Sequence, residues 1–116
     1  MNGLIIKKKW LDLILAGQKT WEIRGSNTKV RGRIALIESG SGLVLGEAHL
    51  VDVVGPLTKR EMLANVKKHH VTEETIRRGL RYKSPHAWIL TNAKRYRKPV
   101  PYDHPAGAVI WVKDVA

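Results

Sequence analysis

The side chains best suited to chemistry fall in one short run, Gly17-Gln18-Lys19-Thr20-Trp21-Glu22-Ile23-Arg24. From Thr20 to Arg24 the residues alternate as a strand does, with Trp21 and Ile23 on one face and Thr20, Glu22 and Arg24 on the other. Side chains two apart on a strand face stand roughly 6–7 Å apart, so these three can converge on one ligand with Lys19 at the mouth. Lys19 can act as a base if desolvated, or as a cation holding a carbonyl or a phosphate. Arg24 offers a planar fork for a phosphate or a base edge. Glu22 can orient either cation, or accept a hydrogen bond from an exocyclic amine. An exposed cross-face ion pair worth about 0–1 kcal/mol has the same spacing, so spacing alone leaves both readings open.

A second group interleaves Tyr82, Trp88, Tyr96 and Tyr102 with Arg81, Lys83, Lys94, Arg95, Arg97 and Lys98. Aromatic rings beside cations suit stacking on unpaired bases with phosphate contacts around them. Trp88 and Trp111 lie in apolar stretches and are expected in the core, which leaves Tyr96 and Tyr102 as the stacking candidates. Other site chemistries find no pattern. Gly40 and Gly42 do not continue into a dinucleotide or phosphate loop, and Ser39 and Ser41 lack the frame of a nucleophile elbow. The adjacent His69 and His70 would point about 100° apart on a helix, and His49, His86 and His104 are isolated, so no metal site and no cofactor is expected. With no cysteine, disulfides, thiolate metal sites and cysteine nucleophiles are excluded.

The elements that must position these residues are short and mixed. Leu4–Ile6 reads as a buried strand, and Trp10–Ala16 as a helix capped by Gly17. Ile34–Ile37 and Leu43–Val54 read as strands joined by a Gly-Ser-Gly turn. Leu57–His70 reads as a helix opened by a Thr58/Glu61 capping box, and Glu73–Leu80 as a second helix capped by Thr72. Ala87–Thr91 reads as a strand, Lys94–Lys98 as a basic segment leading to prolines, and Gly107–Val112 as a closing strand. Five to six strands with singly inserted helices predict an α+β fold, a small mixed β-barrel rather than a doubly wound sheet.

At 116 residues and 43% hydrophobic content the chain is expected to form one domain, 1–116, with a real core. Lys plus Arg number 21 against 10 Asp plus Glu, a formal charge of +11 that favours polyanions, nucleic acid first among them. Neither a signal peptide nor an apolar stretch of roughly 20 residues is visible, so no membrane partner and a cytoplasmic address are expected.

The chain resembles the ASCH domain family, whose β-barrel is related to the PUA domain. The resemblance rests on Lys9-Trp10 entering the first helix, the Gly17–Arg24 run, Arg31-Gly32-Arg33-Ile34 and Leu45-Gly46-Glu47-Ala48 running into Val51-Asp52. It continues through Ala87-Trp88-Ile89-Leu90 and His104-Pro105-Ala106-Gly107-Ala108-Val109-Ile110-Trp111. It implies a cleft beside the first helix, lined by the Gly-x-Lys-Thr-x-Glu-x-Arg segment, and binding of RNA or another nucleic acid. Some small bacterial relatives hydrolyse the acyl group from cytidine acetylated on its exocyclic amine, using a Lys, a Thr and a Glu. Lys19 matches that lysine, the threonine falls where this chain has Glu22, and no carboxylate occurs in Ala64–Val71, where the acid is expected. Ribonuclease activity has been attributed to other members.

Three functions are therefore in view. The first is a module binding RNA, a nucleotide or a nucleoside, with Lys19, Glu22 and Arg24 reading the ligand. Lys7, Lys8, Lys9, Arg31, Arg33, Arg95, Tyr96, Lys98 and Tyr102 would then contact backbone and bases. The second is a hydrolase on acylated cytidine or RNA, with Lys19, Glu22 and Thr20 as catalytic candidates. The third is a protein–protein module with a solvated basic face. The cations gather at Lys7–Lys9, Lys29–Arg33, Arg77–Lys83 and Lys94–Lys98, three of which are expected to border the cleft.

Overall fold

The structure is a computed structural model that describes residues 1–115. Its elements are β1 (Gly3–Ile6), α1 (Lys8–Leu15), β2 (Trp21–Arg24), β3 (Gly32–Glu38), β4 (Leu43–Val54), α2 (Lys59–Ala64), α3 (Val66–His69), α4 (Glu73–Arg78), β5 (His86–Pro101) and β6 (Trp111–Val112). The strands form one six-stranded sheet in the order β2-β5-β4-β3-β1-β6. Among the described residues only β1 and β3 run parallel; every other pair is antiparallel. The parallel pair needs a long crossover, which α1 and β2 supply.

The sheet is apolar on both faces at its centre. Leu4, Ile6, Ile34, Leu36, Ala48 and Leu50 pack beneath α1, whose Leu11, Ile14 and Leu15 form a stripe at helical spacing. On the other face Ile5, Ala35, Ile37 and Val44 pack with Val112 and the partly buried Tyr102 and Val115. A third cluster joins α2 to α4 through Leu57, Met62 and Ile76, against Trp21, Ile23 and Ala87. Trp21 and Ile23 thus share the face expected for them.

Curvature comes from β4 and β5, whose pairing shifts register between Val44 and Gly46, Glu47 and His49, and Leu50 and Asp52. At Gly46 a side chain is excluded: an added Cβ would overlap the Lys94 carbonyl and the Leu15 methyl. The sheet rolls into a half-barrel until its two ends approach. Trp88, beside the β2 edge, stacks on Trp111 of the β6 edge with ring centroids 5.8 Å apart and an interplanar angle of 13°. The expected barrel is therefore present as a curled sheet with an open seam.

Four boundaries differ from the expectations. The first helix begins at Lys8, two residues earlier than expected, where the Lys8–Asp12 pair, 2.8 Å apart, ties its first turn to its second. The helix expected over Leu57–His70 is two, broken at Asn65, whose φ of −124° is not helical. The capping box does form: the Thr58 side chain accepts from the Glu61 amide and the Glu61 side chain accepts from the Thr58 amide. Lys94–Lys98 is no separate segment but part of the 16-residue β5, which runs on through Pro99 because β2 pairs only with His86–Ile89. Of Gly107–Val112 only Trp111–Val112 is strand, and Val109 and Ile110 are exposed.

Candidate functional site

The site is built where α1 ends. Gly17 takes a φ of +77°, and the amides of Gln18 and Lys19 both turn back to the Leu13 carbonyl, at 2.9 and 3.1 Å. This reversal carries Lys19 under the sheet edge. The Thr20 amide then bonds the Lys68 carbonyl at 2.9 Å, and the Thr20 carbonyl accepts from the Leu90 amide at 2.8 Å. The backbone of Thr20 therefore ties α3 to the sheet while its side chain is exposed, away from the cleft. Thr20 does not join the catalytic candidates, because Lys19 leaves the turn before strand alternation begins.

Lys19 is not at the mouth but on the floor, its side chain 1% exposed. Its ammonium donates to the Trp21 carbonyl at 2.7 Å and to the His69 carbonyl, and it stands 3.6 Å from Glu22 Oε1. The Trp10 ring covers it, with its centroid 4.7 Å away. Burial pushes its pKa down to about 8, against the raising effect of Glu22. Glu22 is buried between two cations: its Oε2 accepts from Arg24 Nε at 2.9 Å and lies 2.8 Å from Arg24 Nη2. Arg24 also spans the open seam, donating from Nη2 to the Ile5 carbonyl at 2.8 Å, and its guanidinium lies 5.6 Å from the Trp88 ring centroid. Of the polar face expected for this strand, Glu22 and Arg24 converge with Lys19, whereas Thr20, which precedes β2, does not.

His69 was not visible as part of the site. Fully buried, it sets its Nε2 2.7 Å from the Met62 carbonyl and accepts from the Val71 amide at Nδ1, 2.9 Å away. One nitrogen donates and the other accepts, so the imidazole is neutral, and burial holds its pKa below the ordinary value. It fixes the α3 end whose carbonyl receives Lys19. The only sequence signal was the His69-His70 pair, and adjacency gave no hint of this.

Above this floor lies a cleft of about 670 Å³. Trp10, Trp88 and Tyr82 line it with Ile5, Ile23, Val109 and Ile110, and Lys7 and Arg81 contribute further cations. Of the candidate ligand-contacting residues, Lys7, Lys19, Glu22 and Arg24 line this cleft. Lys8 pairs with Asp12, and the Lys9 ammonium lies 4.6 Å from the Trp10 ring centroid. Arg31 donates to the Thr28 and Val30 carbonyls. Arg33 pairs with Glu47 at 2.7 Å, and the Tyr96 hydroxyl donates to the same carboxylate at 3.1 Å. Arg95 faces Asp12 at 3.4 Å and Lys98 is exposed on β5. Two of the four basic groups, at Lys7 and Arg81, reach the cleft rather than three. Tyr102 borders a smaller depression with His104. Among the described residues no group of three His, Asp or Glu could hold a metal ion, and no helix is long and apolar enough to cross a membrane.

The family model for the ASCH domain matches residues 4–100. The chain belongs to the ASCH domain family. Among solved structures it is similar to the ASCH protein of Zymomonas mobilis, with a TM-score of 0.69 at 18% identity over 86% of this chain and 72% of that one. A tyrosine-to-phenylalanine variant of the Zymomonas mobilis protein gives 0.71 at 17% identity, covering 86% and 74%. At such identity the likeness speaks to the shared half-barrel fold. No curated protein matches the sequence.

Proposed function

We propose that this ASCH domain binds single-stranded RNA or a nucleotide, with one base held in the cleft. The observation that carries the reading is the buried Lys19–Glu22–Arg24 chain lying beneath aromatic walls, with Lys7 and Arg81 also lining the cleft. Trp10 and Tyr82 suit the flat face of a base, and the fork and carboxylate below suit its polar edge. The additional cations suit the phosphates that flank it. A base inside a duplex cannot enter such a cleft without leaving its stack, which favours single strands. Fluorescence anisotropy with labelled single-stranded RNA tests this: binding at low salt is expected, weakening at least tenfold in Arg24→Lys, which keeps charge but loses the fork. No binding at low salt overturns the reading.

A hydrolytic reading has one observation in its favour, the lowered pKa of Lys19. A lysine with a pKa of about 8 is neutral in about one molecule in ten at pH 7, and that form can take a proton from an attacking water. Turnover of N4-acetylcytidine with kcat/KM rising through about pH 8, and absent in Lys19→Ala, would establish it. A labelled-RNA assay with and without divalent metal covers the ribonuclease form.

A further inference from the structure

The cleft does not end at Val109. A second depression of about 400 Å³ lies beyond it, lined by Tyr102, His104, the Gly40 and Gly42 turn, and Ala108. Ile5, Ser39 and Val109 line both, so the two form one trough with a shared threshold. The second part is firmly built. Tyr102 and His104 meet edge to face with ring centroids 5.8 Å apart, and the Tyr102 oxygen is 2.8 Å from His104 Nδ1. His104 Nε2 lies 2.9 Å from the Ala108 carbonyl, which pins the loop carrying Val109.

The threshold carries its own chemistry. The Ser39 amide bonds the Ile6 carbonyl at 2.9 Å, which brings Ser39 beside Lys7, the next residue in the chain. Among the described residues the Ser39 hydroxyl has no hydrogen-bond partner and Lys7 is in no ion pair, so one donor and one cation remain for an anion. Glu38 shares the α1 face of β3 with Leu36, where its charge acts on Lys8.

We infer that the trough holds at least two successive nucleotides of a single strand, one base over the Lys19–Glu22–Arg24 floor and its neighbour against Tyr102 and His104, with the connecting phosphate at Ser39 and Lys7. The inference rests on the binding reading above and names its ligand as an oligonucleotide rather than a free nucleoside or mononucleotide. An aromatic contact to a second base adds roughly one to two orders of magnitude in affinity.

The test compares a random-sequence RNA hexamer with a mixture of the four nucleoside 5′-monophosphates, at equal low salt. The hexamer is expected to bind at least about tenfold tighter. Tyr102→Leu, which keeps apolar volume but loses the ring, is expected to narrow that ratio about tenfold, and Tyr102→Phe to restore it. Ser39→Ala, at an exposed position, reads the threshold without disturbing the core and is expected to narrow the ratio about threefold. Monophosphate binding as tight as the hexamer, or an unchanged ratio in folded Tyr102→Leu and Ser39→Ala, overturns the second subsite while leaving the binding reading intact. Failure of both probes to bind the unaltered protein removes both.

Discussion

Lys19 shows how a single residue can be costly and still fixed. Its ammonium is buried against two carbonyls and a carboxylate, an arrangement that holds together only while all partners remain. Lys19→Met leaves both carbonyls and the Glu22 carboxylate short of a donor, and urea denaturation at pH 7 is expected to show a loss of about 3 kcal/mol. The pH dependence runs in a defined direction. The unfolded lysine keeps its proton up to 10.5, whereas the folded one releases it at about 8. Between those values the unfolded chain binds more protons, so the native state gains stability as pH rises. The stability gap between the unaltered protein and Lys19→Met is therefore expected to widen from pH 7.5 to 9.5, by about 1–2 kcal/mol. A gap that narrows would show that the folded pKa of Lys19 lies above, not below, that of the unfolded chain.

At the scale of elements, the decisive contact is between α3 and the turn after α1. The Lys68 carbonyl takes the Thr20 amide, the His69 carbonyl takes Lys19, and the His70 ring reaches the Gln18 carbonyl at 2.9 Å. His69 holds this end in place by satisfying Met62 and Val71 at once. In His69→Leu those two backbone groups lose their partner. Hydrogen exchange at the Val71 and Thr20 amides is expected to speed by at least tenfold, ahead of the β3 and β4 amides. Because the folded pKa of His69 lies below 6.5, the native state takes up its proton later than the unfolded chain on acidification. Stability is fully present above about pH 6.5 and is expected to fall as pH drops below it, less steeply in His69→Leu. Chemical denaturation at pH 7 and pH 5 measures the difference.

For the molecule as a whole, the surplus of +11 is less important than where it is neutralised. Arg33 and Arg95 face Glu47 and Asp12, whereas Lys7 lines the cleft with no ion pair among the described residues and Arg81 lies 5.6 Å from the centroid of the Tyr82 ring. If phosphates follow the trough, Lys7→Ala with Arg81→Ala should make the slope of log affinity against log salt shallower by about 1.4 for a single strand. Arg33→Ala with Arg95→Ala should change it by less than about half of that. Equal effects would mean that the basic residues act as a diffuse field and not as a path.

Local rules determined a good deal here: the period-two face of β2, the Gly17 stop, the Thr58 cap and the apolar strands that became the core. The half-barrel was legible through the order of these segments and their family resemblance. What the sequence could not determine was depth. Whether Lys19 stands at a mouth or on a floor depends on where Trp10, α3 and the β2 edge meet, and those groups are brought together only by the curl of the sheet. The same curl set Trp88 on Trp111 and left the seam that Arg24 crosses. It also turned Val109 and Ile110, which read locally as a strand, into part of the cleft wall, because long-range closure outweighs the intrinsic preference of a short apolar run.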